Sequence, residues 1–330
     1  MKPFKALLIE ERDGKVASGF AMLDESRLDP GTVTIRVAFS SVNYKDALAA
    51  TGAGRIIRRF PCVGGIDLAG TVLASDDPRF KAGDQVIATS FDIGVAHHGG
   101  YAEVARVPGD WVVPLPEGLS PFEAMALGTA GFTAALAIVR MEENRLRPEN
   151  GPVIVTGATG GVGSLAIDML ARRGYRVVAL TGKAAEADYL RGLGAAEVML
   201  RQDIDLTKVR ALERARWAGA VDNLGGEILA WIASTMMQGG TIASVGLAAS
   251  MDLRTSVAPF ILRGVSLLGV DSGYIGEPYR NGIWQRLATD LRPPHLAAMT
   301  RRVGFAELPG LFDEFIAGRA KGRVVVEIGG

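Results

Sequence analysis

The chain has 330 residues, of which 48% are hydrophobic and 22% charged, enough for two domains of ordinary size around a sizeable apolar core. Its 36 basic and 36 acidic side chains leave a formal net charge of zero, which argues against a nucleic acid or an anionic membrane surface as the main partner. The single cysteine, Cys62, excludes a disulfide framework, and the lack of a signal pattern or a transmembrane-length apolar run makes the cytoplasm the expected location.

The first third of the chain is predicted to be rich in short β-strands separated by Gly and Pro turns. Gly14 lies in a predicted hairpin turn, where its conformational freedom suits a tight turn. The expected strands cover residues 6–9, 32–39, 67–74, 84–88, 100–105 and 111–115. This pattern predicts a compact domain that resembles a β-barrel.

The character of the sequence changes near Ser120. Residues 120–123 (Ser-Pro-Phe-Glu) have the signature of a helix start, and helical patterns continue through residues 130–139. From Gly151 strands and helices alternate, as they do in a parallel α/β sheet. Residues 323–328 form a last strand that is predicted to return to the first domain. The expected domains are therefore residues 1–123 with 295–330, and residues 124–294.

A glycine-rich turn lies between two predicted strands of the second domain. Residues 153–155 are an apolar β-branched strand, residues 164–173 have helical spacing, and the glycines between them are Gly157, Gly160, Gly161 and Gly163. Such a turn allows backbone to approach a pyrophosphate at the helix N-terminus. Thr159, Gly160, Gly161 and Val162 are the expected cofactor contacts. A glycine-rich turn alone can be structural, but the flanking strands favour a dinucleotide site in a Rossmann-type, doubly wound sheet.

The end of the next strand distinguishes NADPH from NAD. Units that bind NAD usually carry Asp or Glu there to bind the ribose 2′-hydroxyl. This chain has Thr181, Gly182 and Lys183, which would attract a 2′-phosphate instead. Arg201, after the third strand, is a candidate second cation. The alternative is a solvated turn with an incidental lysine.

Later strand ends offer further candidate ligand contacts. Residues 245–247 and 270–272 end predicted strands of the nucleotide fold, and Leu247 and Ser272 are expected beside the nicotinamide carboxamide. Residues 222–223 end another such strand and are expected to line the site rather than react.

Several local motifs together resemble the medium-chain dehydrogenase/reductase superfamily over essentially the whole chain. Residues 43–46 (Asn-Tyr-Lys-Asp) resemble the N-Y-x-D stretch of its zinc-free quinone and enoyl reductase branch. Residues 64–70 occupy the place of the zinc branch's G-H-E motif and contain no histidine. Residues 128–134 resemble the helix before the nucleotide fold, and residues 322–325 resemble the closing G-[RK]-x-V.

The resemblance implies a GroES-like β-barrel domain for substrate and a Rossmann domain for NADPH. Within the zinc-free branch the motifs are similar to the acrylyl-CoA reductase group, which implies reduction of acryloyl-CoA to propionyl-CoA with NADPH. It also implies a homodimer. An NADPH:quinone oxidoreductase or a general enone or enoyl reductase is the enzyme alternative, and a binding protein that uses the fold without chemistry is the non-enzyme alternative.

No metal site is predicted. A catalytic zinc needs three protein ligands, usually of Cys, His and Glu types. The histidines are His97, His98 and His295, and none has a ligand spacing to Cys62. His97 and His98 are expected in an exposed loop, with contact to substrate as the alternative. Cys62 is expected to be a small buried residue rather than a nucleophile.

The resemblance implies candidate catalytic residues in the first domain. Tyr44 is expected to donate a hydrogen bond to the substrate or to lie against the nicotinamide, and the alternative is a core tyrosine. Asn43 is expected to orient the substrate or a loop, and Asp46 is either an acid or a helix cap. Thr129 is expected beside the cofactor.

The cations of the first domain are candidates for phosphate groups. Arg55, Arg58 and Arg59 form a basic loop that either binds coenzyme A or is merely solvated. Arg319, Lys321 and Arg323, near the end of the chain, form another candidate cluster for coenzyme A or for a cofactor phosphate.

Overall fold

The computed structural model describes residues 2–329. Strands and α-helices alternate through most of residues 153–269, where one pair of consecutive strands, residues 197–200 and 217–222, has no α-helix between its members. The strands are β1 (Phe4–Arg12), β2 (Lys15–Leu23), β3 (Val33–Val42), β4 (Cys62–Val63), β5 (Asp67–Ser75), β6 (Gln85–Thr89), β7 (Val104–Val107), β8 (Val112–Pro114), β9 (Val153–Thr156), β10 (Val177–Thr181), β11 (Glu197–Leu200), β12 (Trp217–Asp222), β13 (Met236–Ser244), β14 (Ser266–Gly269), β15 (Thr300–Gly304) and β16 (Arg323–Glu327). The α-helices are α1 (Tyr44–Thr51), α2 (Pro121–Glu143), α3 (Gly161–Arg172), α4 (Ala187–Gly192), α5 (Gly226–Thr235), α6 (Ala258–Leu262), α7 (Tyr279–Ala288) and α8 (Phe312–Ile316).

The chain divides into two compact units. Unit 1 comprises Met1–Thr129, Gly273–Trp284 and Leu296–Gly330, and unit 2 comprises Ala130–Ser272 and Gln285–His295. The sequence-based boundaries differ most at Gly273–Trp284, which were assigned to the nucleotide-binding domain. This segment joins unit 1 because the buried guanidinium of Arg280 donates hydrogen bonds to the carbonyl and hydroxyl oxygens of Thr89, and because Phe91 N donates to Gly273 O.

Unit 1 is built from two β-sheets. The smaller has the order β2-β1-β4, and the larger runs β15-β16-β3-β5-β6-β8 with β7 also paired to β3. The β1–β2 hairpin turns through Asp13 and Gly14, both at positive φ (51° and 73°), as the sequence predicted for Gly14. Strand β16 pairs with β3, so the tail returns to this unit as predicted.

The core of unit 1 is formed by β-branched residues on its strands. Val33, Ile35 and Val37 alternate along the first half of β3 and are fully buried, as expected for a strand with one face in a core. The pairing of the predicted strand at residues 100–105 is more limited than expected. Only residues 104 and 105 of the predicted strand belong to a strand in the structure, β7. Before it, Tyr101 N donates to Gly64 O and the Tyr101 ring is buried in the core.

Unit 2 contains a six-stranded parallel sheet in the order β11-β10-β9-β12-β13-β14. Strand order reverses at β9, so this is the doubly wound Rossmann arrangement that the sequence predicted. Strand β9 is central and all four of its residues are buried, which explains its entirely β-branched sequence, Val-Ile-Val-Thr. The carboxyl ends of all six strands lie along one edge of the sheet, where ligands bind in this fold class.

Helix α2 begins where the sequence predicted. Ser120 Oγ accepts from Glu123 N, and the Glu123 carboxylate accepts from Ser120 N, which forms a capping box before Pro121. The helix is long and apolar enough to cross a membrane by composition, but 83% of its most hydrophobic window is buried inside the protein. Gly128 interrupts it with φ 52° and ψ −155°, a conformation that favours glycine.

The close packing of β5 on β3 gives a stability prediction. A Cβ atom added at Gly70 would lie 2.0 Å from the Arg36 carbonyl oxygen, which belongs to backbone and cannot move aside. We expect Gly70→Ala to lower the free energy of unfolding by about 3 kcal/mol, measured by urea unfolding. Gly19→Ala on β2 is the matched control, because nothing lies within 4 Å of its added Cβ. Equal stability of the two variants would contradict the packing described here.

Candidate active site

The glycine-rich turn of unit 2 connects β9 to α3. Gly157 has φ 57°, and a Cβ at Gly163 would lie 2.4 Å from the Gly157 carbonyl oxygen, so both positions require glycine. Helix α3 begins at Gly161 with Gly160 as its N-cap, and Gly160 is exposed. The turn therefore presents the positive end of a 12-residue helix without side chains in the way, which suits the pyrophosphate of a dinucleotide.

The residues predicted to read the 2′-phosphate lie at the end of β10. Thr181 is buried and its Oγ1 accepts from Lys183 N at 3.0 Å, which shapes the turn, while Gly182 is exposed. In the parallel register Thr181 pairs with Leu200, so the exposed Arg201 follows directly at the same edge of the sheet. The structure therefore brings Arg201 beside the 181–183 turn, and its contact with a 2′-phosphate stays a prediction.

Asp222 at the end of β12 has a structural role. Its carboxylate accepts from Thr156 Oγ1 at 2.8 Å and from Gly225 N at 2.8 Å, and Asn223 Nδ2 donates to Thr156 O. Burial raises the pKa of Asp222. These bonds hold the ends of β9 and β12 together, which agrees with a lining role.

The two remaining candidates of unit 2 lie just beyond β13 and β14. Leu247 has 60% of its surface exposed, unusual for a leucine in a folded unit. Ser272 Oγ accepts from Thr133 Oγ1 at 2.7 Å. Both follow carboxyl strand ends of the same sheet, on the edge where the glycine-rich turn lies.

In unit 1, a buried carboxylate organises the segments that carry the predicted catalytic residues. Asp67 is fully buried and accepts from Ser41 Oγ at 2.5 Å and from Asn43 Nδ2 at 2.8 Å. It also accepts from the backbone N and the Oγ1 of Thr129 at 3.0 Å and 2.5 Å. No role for Asp67 was predicted, although an aspartate inside the apolar strand sequence Ile-Asp-Leu-Ala is a signal of a buried functional or structural charge.

Arg323, predicted as part of a cluster for a ligand phosphate, is buried and instead adds a cation to the same network. Its Nε donates to Ala126 O at 2.8 Å and its Nη1 donates to Asn43 Oδ1 at 3.2 Å. Burial lowers the pKa of this guanidinium, and the charges of Asp67 and Asp46 oppose that shift. Arg323 therefore holds the turn of α2 and the Asn43 side chain while it offsets the buried negative charges.

The structure favours the capping alternative for Asp46. Its Oδ2 accepts from Asn43 N at 2.8 Å at the start of α1, and its Oδ1 accepts from Ile66 N at 2.9 Å. The side chain is buried, and burial together with the charge of Asp67 raises its pKa to about 7. Asp46 thus ties α1 to the segment before β5.

Tyr44 is the first residue of α1, directly after the anchored Asn43. Its side chain is 51% exposed, so the alternative of a core tyrosine is wrong. An exposed phenol on a rigidly anchored helix start is available to a ligand, whereas a phenol in the core would not be.

The basic loop does not present three equivalent cations. Arg58 forms an ion pair with Asp92, and Arg59 forms one with Asp29. Arg55 is exposed, and the described residues place no carboxylate within salt-bridge distance of it. Arg55 is therefore the member of this loop best suited to a phosphate of a ligand.

Arg319 is exposed in the segment between α8 and β16. Its backbone N donates to Glu314 O, which closes the end of α8. The Asp67 network does not include this side chain.

The expectation that His97 and His98 lie in an exposed loop is wrong. Both are buried, with exposures of 9% and 7%. His97 Nε2 lies 3.0 Å from Pro30 O, and His98 Nδ1 accepts from Val63 N at 3.1 Å. His98 N donates to the Asp29 carboxylate at 2.6 Å. These ring nitrogens bind backbone groups, so the pair holds a buried turn together.

Cys62 is fully buried, as predicted, and its Sγ lies 3.4 Å from the carbonyl oxygens of Val63 and His97. Burial raises the pKa of the thiol to about 12, which disfavours the thiolate that zinc would require. Among residues 2–329, no group of three or more His, Cys, Asp or Glu side chains is arranged to hold a metal ion. The absence of zinc in the working enzyme stays a prediction.

Two family models match the chain. The alcohol dehydrogenase GroES-like domain matches residues 29–117 and the zinc-binding dehydrogenase model matches residues 161–289. AcuI of Ruegeria pomeroyi, named acrylyl-CoA reductase, is 47% identical over 98% of this chain and 99% of its own. The chain belongs to the medium-chain dehydrogenase/reductase superfamily. This confirms the predicted fold class and the predicted class of enzyme, an oxidoreductase. For the zinc in the second model's name, the part of the chain that the structure describes contains no group of three or more His, Cys, Asp or Glu side chains arranged as ligands.

Other members of the superfamily are equally similar to this chain. YhfP of Bacillus subtilis, provisionally named a quinone oxidoreductase, is 48% identical over 98% of this chain and 99% of its own. Its crystal structure, with NAD bound, matches with a TM-score of 0.96. The yhdH oxidoreductase of Salmonella enterica in complex with NADP has a TM-score of 0.96 and 46% identity, and covers 98% of this chain and 100% of its own.

The raised pKa of Asp46 gives a pH prediction. A carboxyl with a raised pKa holds its proton more tightly in the folded than in the unfolded chain, so stability falls as the pH rises from 3.8 to about 7. Asp46→Asn cannot titrate. Between about pH 5 and pH 7.5 we expect the unmodified protein to lose about 2 kcal/mol of unfolding free energy relative to this variant.

The measurement is urea unfolding of both proteins at a series of pH values. Asp76→Asn, which changes an exposed aspartate of unit 1, is the control and should follow the unmodified protein. A constant difference between the Asp46→Asn variant and the unmodified protein across this range would contradict the buried titration.

Proposed function

We propose that this protein reduces the C=C bond of acryloyl-CoA to give propionyl-CoA, with NADPH as the cofactor and without a metal. The observation that carries the proposal is the 47% identity to the acrylyl-CoA reductase AcuI over 98% of the chain. Unit 1 carries the candidate substrate residues together with Tyr44 and Thr129, which are also expected to contact the cofactor, and unit 2 carries the other cofactor candidates. The resemblance to the family also supports a homodimer in the cytoplasm.

The choice of NADPH is supported by the turn after β10. Lys183 and Arg201 are cations at neighbouring strand ends, and no acidic residue occupies the 181–183 turn. Gly157 and Gly163 allow the tight turn before α3, and such a turn suits a pyrophosphate at the helix N-terminus. Similar proteins agree in part, since yhdH of Salmonella enterica was crystallised with NADP and YhfP with NAD.

The side chains of unit 1 support reduction of an activated double bond. NADPH, when bound, supplies a hydride for the β-carbon of such a bond. Negative charge then develops on the thioester oxygen, and the exposed Tyr44 phenol is a suitable hydrogen-bond donor for it. Asn43, held by Asp67 and Asp46, fixes the position from which Tyr44 acts. Asp46 serves this positioning and is not needed as an acid.

Coenzyme A requires a cation for its phosphates, and Arg55 is the best placed for this role. Arg58 and Arg59 would have to exchange Asp92 and Asp29 for a ligand phosphate. The Arg58–Asp92 pair is partly exposed, so its exchange costs little, whereas Asp29 is buried and would lose a charged partner if Arg59 left it. Arg319 is a second exposed candidate.

A quinone oxidoreductase is the second candidate, because YhfP is as similar to this chain as AcuI is. A quinone needs an apolar surface and no phosphate ligand. Side-by-side turnover of acryloyl-CoA and a soluble benzoquinone with NADPH separates the two functions. We expect saturable turnover of acryloyl-CoA with a kcat/KM at least ten times that for the quinone. Faster quinone turnover without saturation by acryloyl-CoA would refute the proposal.

The cofactor prediction concerns Lys183. Lys183→Glu replaces attraction of the 2′-phosphate by repulsion, so we expect the Kd of NADPH to rise about 50-fold, or about 2.3 kcal/mol. The Kd of NADH should change by less than about threefold. Both are measured by nucleotide fluorescence. Lys208→Glu, an exposed lysine of the same unit, controls for net charge. An equal loss of affinity for NADPH and NADH would disprove the assignment.

A further inference from the structure

The hydrogen atom of the Thr129 hydroxyl is committed to Asp67. Thr129 Oγ1 lies 2.5 Å from Asp67 Oδ1, and a carboxylate can only accept a hydrogen bond. A hydroxyl has one hydrogen, so Thr129 Oγ1 must accept in every other bond that it makes. Ser90 Oγ, at 3.0 Å, therefore donates to Thr129 rather than accepting from it.

The backbone of α2 is shaped to make this arrangement. The left-handed Gly128 aims both the N–H and the hydroxyl of Thr129 at one carboxylate. A Cβ at Gly128 would lie 2.6 Å from Asp67 Oδ2 and 3.0 Å from Ser41 Oγ. Glycine is required at position 128 for this close approach to Asp67. The direction of the Thr129 hydroxyl therefore follows from the backbone conformation of α2.

The other donors to Asp67 keep its orientation independent of Thr129. Ser41 Oγ and Asn43 Nδ2 both bind Oδ2, while Thr129 Oγ1 binds Oδ1. Ser40 Oγ donates to the Asp67 carbonyl oxygen at 2.6 Å and fixes the backbone. Ser41 of β3 and Asn43, the N-cap of α1, therefore hold the carboxylate in place without the help of Thr129.

We propose that Asp67 is a positioning residue that makes the Thr129 hydroxyl an obligatory hydrogen-bond acceptor for the nicotinamide half of the dinucleotide. This inference rests on the proposed function and on the expectation, from the family resemblance, that Thr129 lies beside the NADPH. The donors that the nicotinamide half offers are its ribose hydroxyls and its carboxamide NH₂. The adenosine half, bound through the 181–183 turn, does not depend on Asp67.

Ligand binding without any acceptor substrate tests this inference. We expect Thr129→Val to raise the Kd of NADPH about tenfold and to change the Kd of 2′,5′-ADP, which lacks the nicotinamide half, by less than about twofold. Thr129→Ser, which keeps the hydroxyl, should bind NADPH like the unmodified protein. Both ligands are measured by calorimetry or by competition with NADPH fluorescence.

A double-mutant cycle connects the two residues. Asp67→Asn keeps the side-chain shape but disturbs the acceptor for Thr129, and should raise the Kd of NADPH about tenfold. Since Asp67 acts through Thr129, the variant with both Asp67→Asn and Thr129→Val should bind about as well as either single variant. Ser234→Ala, which removes a buried hydrogen bond from Ser234 Oγ to Trp231 O outside the Asp67 network, is the control and should lower the melting temperature without changing the Kd of NADPH.

Two results would overturn the inference. One is a multiplicative loss in the double variant, and the other is an equal loss of 2′,5′-ADP affinity in the Thr129→Val variant, since each shows a general structural effect. Should Asp67→Asn fail to fold, the contrast between Thr129→Ser and Thr129→Val still decides the role of the hydroxyl. The 3-acetylpyridine analogue of NADP, which lacks the amide donor, identifies the partner. If Thr129→Val leaves its Kd unchanged the donor is the carboxamide, and if the Kd rises the donor is a ribose hydroxyl.

Failure of the proposed function is seen separately. An unmodified protein that does not bind NADPH refutes the cofactor assignment before any variant is compared. An unmodified protein that binds NADPH but reduces only quinones refutes the substrate assignment and leaves the role of Asp67 intact.

Discussion

The buried carboxylate of Asp67 is the constraint on which unit 1 depends. A charge without access to water is tolerated only when its hydrogen bonds are satisfied, and here four donor groups from three residues satisfy it. Those residues lie on β3, at the cap of α1 and in the turn of α2. Position 128 requires glycine because a Cβ atom there would meet the Asp67 carboxylate. The buried Arg323 offsets the charge of the same carboxylate. One side chain thus aligns the helix start that carries Tyr44 with the hydroxyl of Thr129.

Features that depend on local sequence were predictable. The turn from β9 to α3 and the capping box at Ser120 are each encoded within a few residues, and the structure contains both where they were expected. The Rossmann strand order followed from the alternation of strands and helices. The sequence pattern also placed Arg201 near the 181–183 turn, because parallel strands end at one edge.

Features that depend on contacts between distant residues were not predictable. The ion pairs of Arg58 and Arg59 join residues 34 and 30 positions apart. The turn at His97 has a polar sequence, which predicted exposure, but Asp29 from a distant part of the chain lies beside it. Arg280 brings a segment of the second half of the chain into unit 1 by bonds to Thr89, 191 positions away. Asp67 and Arg323 showed a weak signal, as charges within apolar strand sequences, but their partners came from other elements.

The central claim is that the protein reduces the C=C bond of acryloyl-CoA at its β-carbon with a hydride from NADPH. The most direct measurement is the position of deuterium in propionyl-CoA formed from acryloyl-CoA with NADPH that is fully deuterated at C4 of the nicotinamide, read by NMR. The account predicts one deuterium at the β-carbon and a hydrogen from solvent at the α-carbon. Deuterium at the α-carbon, or propionyl-CoA without deuterium, would contradict it.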